Sequence, residues 1–97
     1  MKIEDKVKKL IAEKLDLDSE DVKAITDKTT FEFLKADELD IIEIIMDCEK
    51  EFNIIFTVKE DTKIAGTENA TVRDLIEIIK SHLQNTNKVN NASDSKE

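Results

Sequence analysis

Phe33-Leu34-Lys35-Ala36-Asp37-Glu38-Leu39-Asp40-Ile41-Ile42-Glu43-Ile44-Ile45-Met46-Asp47-Cys48-Glu49-Lys50-Glu51-Phe52 is the most strongly patterned run in this chain, and its period is helical. At about 100° per residue, Ile41, Ile44, Ile45, Cys48 and Phe52 fall on one side, which is the spacing of a core stripe. Leu39, Ile42 and Met46 form a second apolar line at i, i+3 and i+7. Asp40, Glu43, Asp47 and Lys50 fill the opposite arc, and Glu49 flanks the other margin. Asp37 is placed to cap the helix with Asp40 three residues on, since carboxylates accept from the unpaired N–H groups of a first turn. Asn53 ends it. A bundle this small should struggle to bury both lines: either packing covers the second line anyway, or, the reading preferred here, Leu39, Ile42 and Met46 are expected at the surface. Residues 36–51 hold seven acids and one Lys, a net −6. An apolar strip rimmed by carboxylates is how a protein-docking face looks. Its long-range attraction is to a basic partner.

Working outward, Ile3, Val7, Leu10, Ile11 and Leu15 recur at helical spacing and predict a first helix over residues 2–15. Asp16-Leu17-Asp18-Ser19 breaks it with turn-favouring side chains. Ser19 reads as a turn residue or N-cap. Residues 20–36 form a long connection anchored by Val22, Ile25, Phe31, Phe33 and Leu34. Loops of this length usually carry function or short helical turns. After the helix of residues 37–52, residues 57–64 predict a short third helix. Gly66 and Asn69 mark a flexible connection. Thr71 caps a last helix, with Asp74 as the acid of a capping box. Val72, Leu75, Ile76, Ile79 and Leu83 are its buried stripe. Residues 84–97 contain four Asn, two Ser and one Val. With no apolar periodicity to offset the entropy of ordering, they read as a disordered polar tail. The expectation is an all-α domain over 1–83: three main helices plus one short one, up-down, with a long loop after the first.

Composition narrows the function. The 97 residues include one Gly, no Pro, Trp or Tyr, and four Phe. A β-sandwich or barrel would need turn residues and aromatics at regular spacing. Fifteen basic residues against 23 acidic ones leave a net charge of −8, all of it on residues 1–83. Phosphate binding needs a basic face, so no nucleic acid is expected. No apolar run approaches the ~20 residues of a membrane span. No secretory leader is expected from Met1-Lys2-Ile3-Glu4-Asp5-Lys6, and the single Cys suits a reducing compartment. A cytoplasmic monomer is the expectation.

Catalytic and metal chemistry is not expected. Asp16, Asp18 and Glu20 resemble the start of a calcium loop, but Asp21 stands where that loop needs Gly and Asp27 where it needs Glu. Cys48 lies on the apolar side of its helix and reads as a small hydrophobe. His82, the single histidine, reads as a residue near a helix C-terminus interacting with the dipole. No Gly-rich phosphate loop is present.

The run Phe33 to Phe52 resembles the acyl carrier protein family. That family shows Leu-Gly-Ala-Asp-Ser-Leu-Asp, an apolar pair, Glu, a further apolar stretch with Met, and an acidic patch closing in Phe. Thr71-Val72-Arg73-Asp74-Leu75-Ile76 is similar to the start of the family's last helix. The resemblance covers residues 2–83 and implies a carrier-like four-helix bundle. It implies partners with basic patches, of the kind an enzyme of lipid or acyl-chain synthesis presents. The docking positions it implies are Asp37, Leu39, Asp40, Ile42, Glu43, Met46 and Glu49. Reversing Glu43 and Glu49 to Lys is expected to slow association while leaving the fold nearly intact.

One residue departs. The family attaches 4′-phosphopantetheine to the Ser of Asp-Ser-Leu, and here the tripeptide is Asp37-Glu38-Leu39. A carboxylate has no hydroxyl to accept the phosphoryl group, so Glu38 is not modifiable and no cofactor is expected. Lys35 stands where the family usually has Gly, and about five extra residues lie between Ile64 and Val72, so the third-helix region departs from the resemblance as well. Two readings follow: a degenerate carrier acting as scaffold, subunit or regulator, or a true acyl carrier of fatty-acid or related synthesis whose Ser was replaced by Glu through engineering. Only in the second would 4′-phosphopantetheine be expected. An unrelated acidic helical protein would show a different helix order.

Overall fold

The structure, a computed structural model, describes residues 2–91, with side chains described as far as Gln84. Five helices follow in order among them: α1 (Ile3–Leu15), α2 (Ser19–Ala24), α3 (Glu38–Phe52), α4 (Val58–Ala65) and α5 (Val72–Asn91). The predicted first, second, short third and last helices are α1, α3, α4 and α5. α3 packs on α1, α4 and α5; α1 and α4 also pack on α5, and α2 rests on α1. The molecule is an acyl-carrier-like helical bundle.

Local chemistry sets the helix boundaries. Asp37 Oδ1 accepts from the Asp40 N–H at 2.8 Å, and Asp40 Oδ2 accepts from the Asp37 N–H at 3.2 Å. Thr57 with Glu60 repeats this box at α4, and Thr71 with Asp74 repeats it at α5. Each such cap contributes on the order of 1 kcal/mol. α1 and α3 stop at left-handed residues, Asp16 at φ 55° and Asn53 at φ 57°.

α2 is the element that apolar spacing does not announce. None of its residues is fully buried, so no stripe marks it. It forms because Asp18 accepts from the Asp21 N–H at 2.8 Å. Asp18 is therefore the N-cap, and Ser19 is the first helical residue rather than the cap.

The core takes Val7 and Ile11 from α1, Ile41, Ile44, Ile45 and Cys48 from α3, and Ile64 from α4. α5 contributes Val72, Leu75, Ile76, Ile78 and Ile79. Ile25, Phe31, Ile54, Phe56 and Ala70 seal it from the connections. Ile3, Leu10, Leu15, Phe52 and Leu83 are only half-buried. Phe33, expected as an anchor, is 75% exposed. The chain turns back on itself there: the Lys35 N–H donates to the Glu32 carbonyl at 2.9 Å and the Ala36 N–H to the Phe31 carbonyl at 3.1 Å. Phe31 takes the core place, and Phe33 rides on the outside of the turn.

The segment between α4 and α5 closes the long loop. The Phe31 N–H donates to the Ala70 carbonyl at 3.1 Å and the Val72 N–H to the Thr29 carbonyl at 2.9 Å. These bonds flank an isolated antiparallel bridge between Thr30 and Thr71. α5 continues through residues 84–91, past the last residue of its apolar stripe. The rest of the expected tail, 92–97, lies outside the described residues.

Candidate functional site

The turn of residues 31–36 delivers the chain to α3. Lys35 holds it there in a left-handed conformation, φ 61°. Asp37 follows as the cap, and Glu38 is the first helical residue, exposed to solvent. Leu39 is 64% exposed, Ile42 41% and Met46 50%. The second apolar line of α3 thus lies at the surface, because α1, α4 and α5 cover only the face that carries Ile41, Ile44, Ile45 and Cys48.

The carboxylates around it are not equivalent. Asp37 and Asp40 face each other in the capping box. Glu43 lies 3.6 Å and Asp47 3.9 Å from the Lys14 Nζ of α1, so that margin is partly neutralised. Glu49 Oε2 accepts from the Phe56 N–H at 2.8 Å and so holds the α3–α4 turn. The expectation that Glu49 could be reversed without touching the fold is corrected here, because Phe56 is buried and its N–H would lose its acceptor.

Between α3 and α4 runs a groove of about 380 Å³. Ile42, Ile45, Met46 and Ala65 supply its apolar lining, and Glu38, Glu49 and Asp61 bring carboxylates to it. Asp61 was not singled out from the sequence. Burial raises its pKa, and the Glu49 and Glu60 carboxylates raise it further. Its neighbour Glu60 behaves oppositely. Burial opposes its charge, but hydrogen bonds with His82 and Thr57 outweigh this, and its pKa is lowered. Only a packed α4 and α5 bring Glu60 and His82 together, at 2.7 Å, with the imidazole stacked on Phe56 at 5.9 Å between centroids. His82 therefore clips α4 to α5, and α5 runs on well past it. Ile55 and Val58, at the α3–α4 turn, are also exposed, at 80% and 82%.

Cys48 is fully buried, and burial first, then the Asp47 and Glu49 carboxylates, pushes its thiol up to about 12. It stays a protonated hydrophobe at neutral pH. Among the described residues no group of three or more His, Cys, Asp or Glu side chains is arranged to hold a metal ion. No helix among them is long and apolar enough to cross a membrane.

The helix order, the capped and acidic α3 and the exposed residue at its first position define a carrier-type domain. Residues 5–79 match the family model described as the phosphopantetheine attachment site, and the chain belongs to that family of acyl-carrier-like domains. Domains of this family normally carry 4′-phosphopantetheine, interact with partner proteins and are generally not catalysts.

Proposed function

We propose that this chain is a recognition module of the acyl-carrier type that holds no 4′-phosphopantetheine at position 38 and acts as a scaffold, subunit or regulator. The observation that carries this reading is Glu38 at the exposed first position of α3. The side chain there does not fit the group. Attachment forms a phosphodiester on a hydroxyl oxygen, and a carboxylate offers no such acceptor and repels the incoming phosphate. What remains is the docking face: Leu39, Ile42 and Met46, with Asp37, Asp40, Glu43 and Glu49 around them. A basic protein surface is the complementary partner, of the kind an enzyme of lipid or acyl-chain synthesis would present. We place the protein in the cytoplasm as a monomer with no catalytic role of its own.

The test is mass spectrometry after incubation with coenzyme A and a phosphopantetheinyl transferase. The chain should gain no pantetheine mass, whereas Glu38→Ser should gain it. Modification of the unaltered chain at any serine would overturn the reading. A second reading, a carrier whose natural residue 38 is Ser, is favoured by one feature. The capping box at α3 uses only Asp37 and Asp40, so a Ser at 38 would need no rearrangement. The native codon at position 38 decides between the two.

A further inference from the structure

α4 has an outer face of a different character from α3. At about 100° per residue, Val58, Lys59, Thr62 and Lys63 fall on the half of α4 opposite the buried Ile64, and all four are exposed. Ile55 and Val58, at the start of this face, are the two most exposed large apolar side chains among the described residues. Beside it a groove of about 470 Å³ runs between α4 and α5, lined by Lys59, Glu60, Lys63, Glu77, Ile78 and Ser81. Two acids and two lysines suggest neutrality, but the acids are already committed. Glu60 Oε1 accepts from the Thr57 N–H and meets His82 at 2.7 Å. Glu77 is paired with Arg73 at 3.1 Å. Lys59 and Lys63 enter none of the ion pairs among the described residues. They stand one turn apart, about 6 Å of helix rise at about 1.5 Å per residue. On a chain of net charge −8, this face offers two uncommitted cations beside two exposed apolar side chains.

We propose that the outer face of α4, with the groove it shares with α5, docks an acidic amphipathic helix of a partner protein. Apolar residues of that helix cover Ile55 and Val58, and carboxylates one turn apart meet Lys59 and Lys63. The inference goes beyond the α3 face and does not depend on residue 38; it gives the chain a second side with the opposite charge preference. Charge complementarity selects the occupant, because only the cations of this face are left to be matched. A helix suits it because a helix presents apolar and charged residues at the same i, i+4 spacing that Lys59 and Lys63 show. An anionic lipid surface suits it less. Two lysines gain about 1 kcal/mol each near such a surface, while the net charge of −8 is repelled by an extended negative plane. A peptide helix brings its charge only to the place where it docks.

The experiment is a nuclear magnetic resonance titration of the full, isotope-labelled chain with a synthetic helix of Leu and Glu at amphipathic spacing. It is run in about 0.1 M salt, where a Debye length of about 10 Å screens the rest of the chain's charge. The same helix with Lys for Glu, and phosphatidylglycerol vesicles, serve as controls. The Glu helix should shift the amide signals of Val58, Lys59, Lys63, Ile78 and Ser81. Replacing both Lys59 and Lys63 by Gln should weaken binding roughly three- to tenfold, and replacing both by Arg should keep it. Replacing the Glu of the synthetic helix by Gln removes the same pairs without touching the chain. Met46→Ala, on α3, should leave this binding unchanged, which separates the proposal from the α3 reading. Absence of binding by the Glu helix, or shifts confined to α3, would overturn the proposal and leave the α3 reading standing. Equal shifts of the same signals by the Lys helix would overturn the charge selection. Vesicle binding lost in the double Gln variant, without binding of the Glu helix, would replace the peptide by a lipid surface. The same shifts on concentrating the chain alone would replace it by a second copy.

Discussion

Lys35 carries a cost that its neighbours do not. At φ 61° a side chain crowds the backbone, and the left-handed region costs an L-residue about 1–2 kcal/mol. Glycine escapes that, at the expense of a larger entropy loss on folding. Lys35→Gly should therefore raise stability by up to about 1 kcal/mol, read as a higher urea midpoint. A lower midpoint would mean that the Lys side chain makes compensating contacts. The same turn explains in physical terms why Gly is usual there in the resembling family. At Cys48 the prediction is kinetic. With the thiol at about 12 and no exposure, iodoacetamide should not label the folded chain at pH 8. Labelling should appear only as fast as the protein opens.

α3 is the element on which the core and the proposed docking face part company, and pairs of substitutions test the division. Ile44 is fully buried, so Ile44→Ala should cost about 2–5 kcal/mol. Met46 is half exposed, so Met46→Ala should cost less than about 1 kcal/mol while weakening partner binding. Thermal melts followed by circular dichroism compare the two, and similar losses would place Met46 in the core. The second pair concerns the α3–α4 turn. Glu49→Lys strands the buried Phe56 N–H, which should cost about 1–3 kcal/mol. Glu49→Gln keeps a carbonyl acceptor and should cost less. Equal losses would show that the charge of Glu49, and not its hydrogen bond, holds the turn.

For the whole molecule, pH acts through the contacts between helices. Glu4 is bonded to Lys80 at 3.0 Å, tying α1 to α5, and its pKa is lowered chiefly by that bond. Glu60 is lowered through His82 and Thr57 against the effect of burial. A depressed carboxylate contributes stability that is present above its unfolded pKa and lost as pH falls through its folded one. Both contributions should therefore fade as pH falls below the ordinary glutamate value of about 4.3 and through the lowered folded values, and Glu60→Gln should flatten the acid side of a melting-temperature profile. Asp61 has the opposite sign. Its raised pKa favours the fold when protonated, and the advantage is lost as pH rises through the folded value. Asp61→Asn should thus melt higher than the unaltered chain at pH 7, with the gap closing in acid. With a net charge of −8, added salt should also raise the melting temperature by screening repulsion. Lys14 and Lys6, paired with Glu43, Asp47 and Glu51, limit that gain.

Helix starts and stops were legible because they are local. Asp37 with Asp40, Thr71 with Asp74, and Asn53 act within one turn of the residues they cap, and a period of 3.6 residues marks which face of α3 is core. The exposure of Leu39, Ile42 and Met46 followed from the same period and from the small size of the bundle. α2 left no such trace, since it is capped but carries no buried stripe. Phe31 and Phe33 look alike in the chain, and only the turn closed against Ala70 decides that one is core and the other surface. His82 and Glu60 stand 22 residues apart, and Glu49 and Asp61 meet across a groove that exists only once α4 packs on α3. The sequence by itself determined α1, α3, α4 and α5, the family resemblance and the acid at position 38, because those depend on neighbours in the chain. Tertiary structure alone decided which carboxylates are free, which are tied, and where an apolar groove opens beside them, because those depend on neighbours in space.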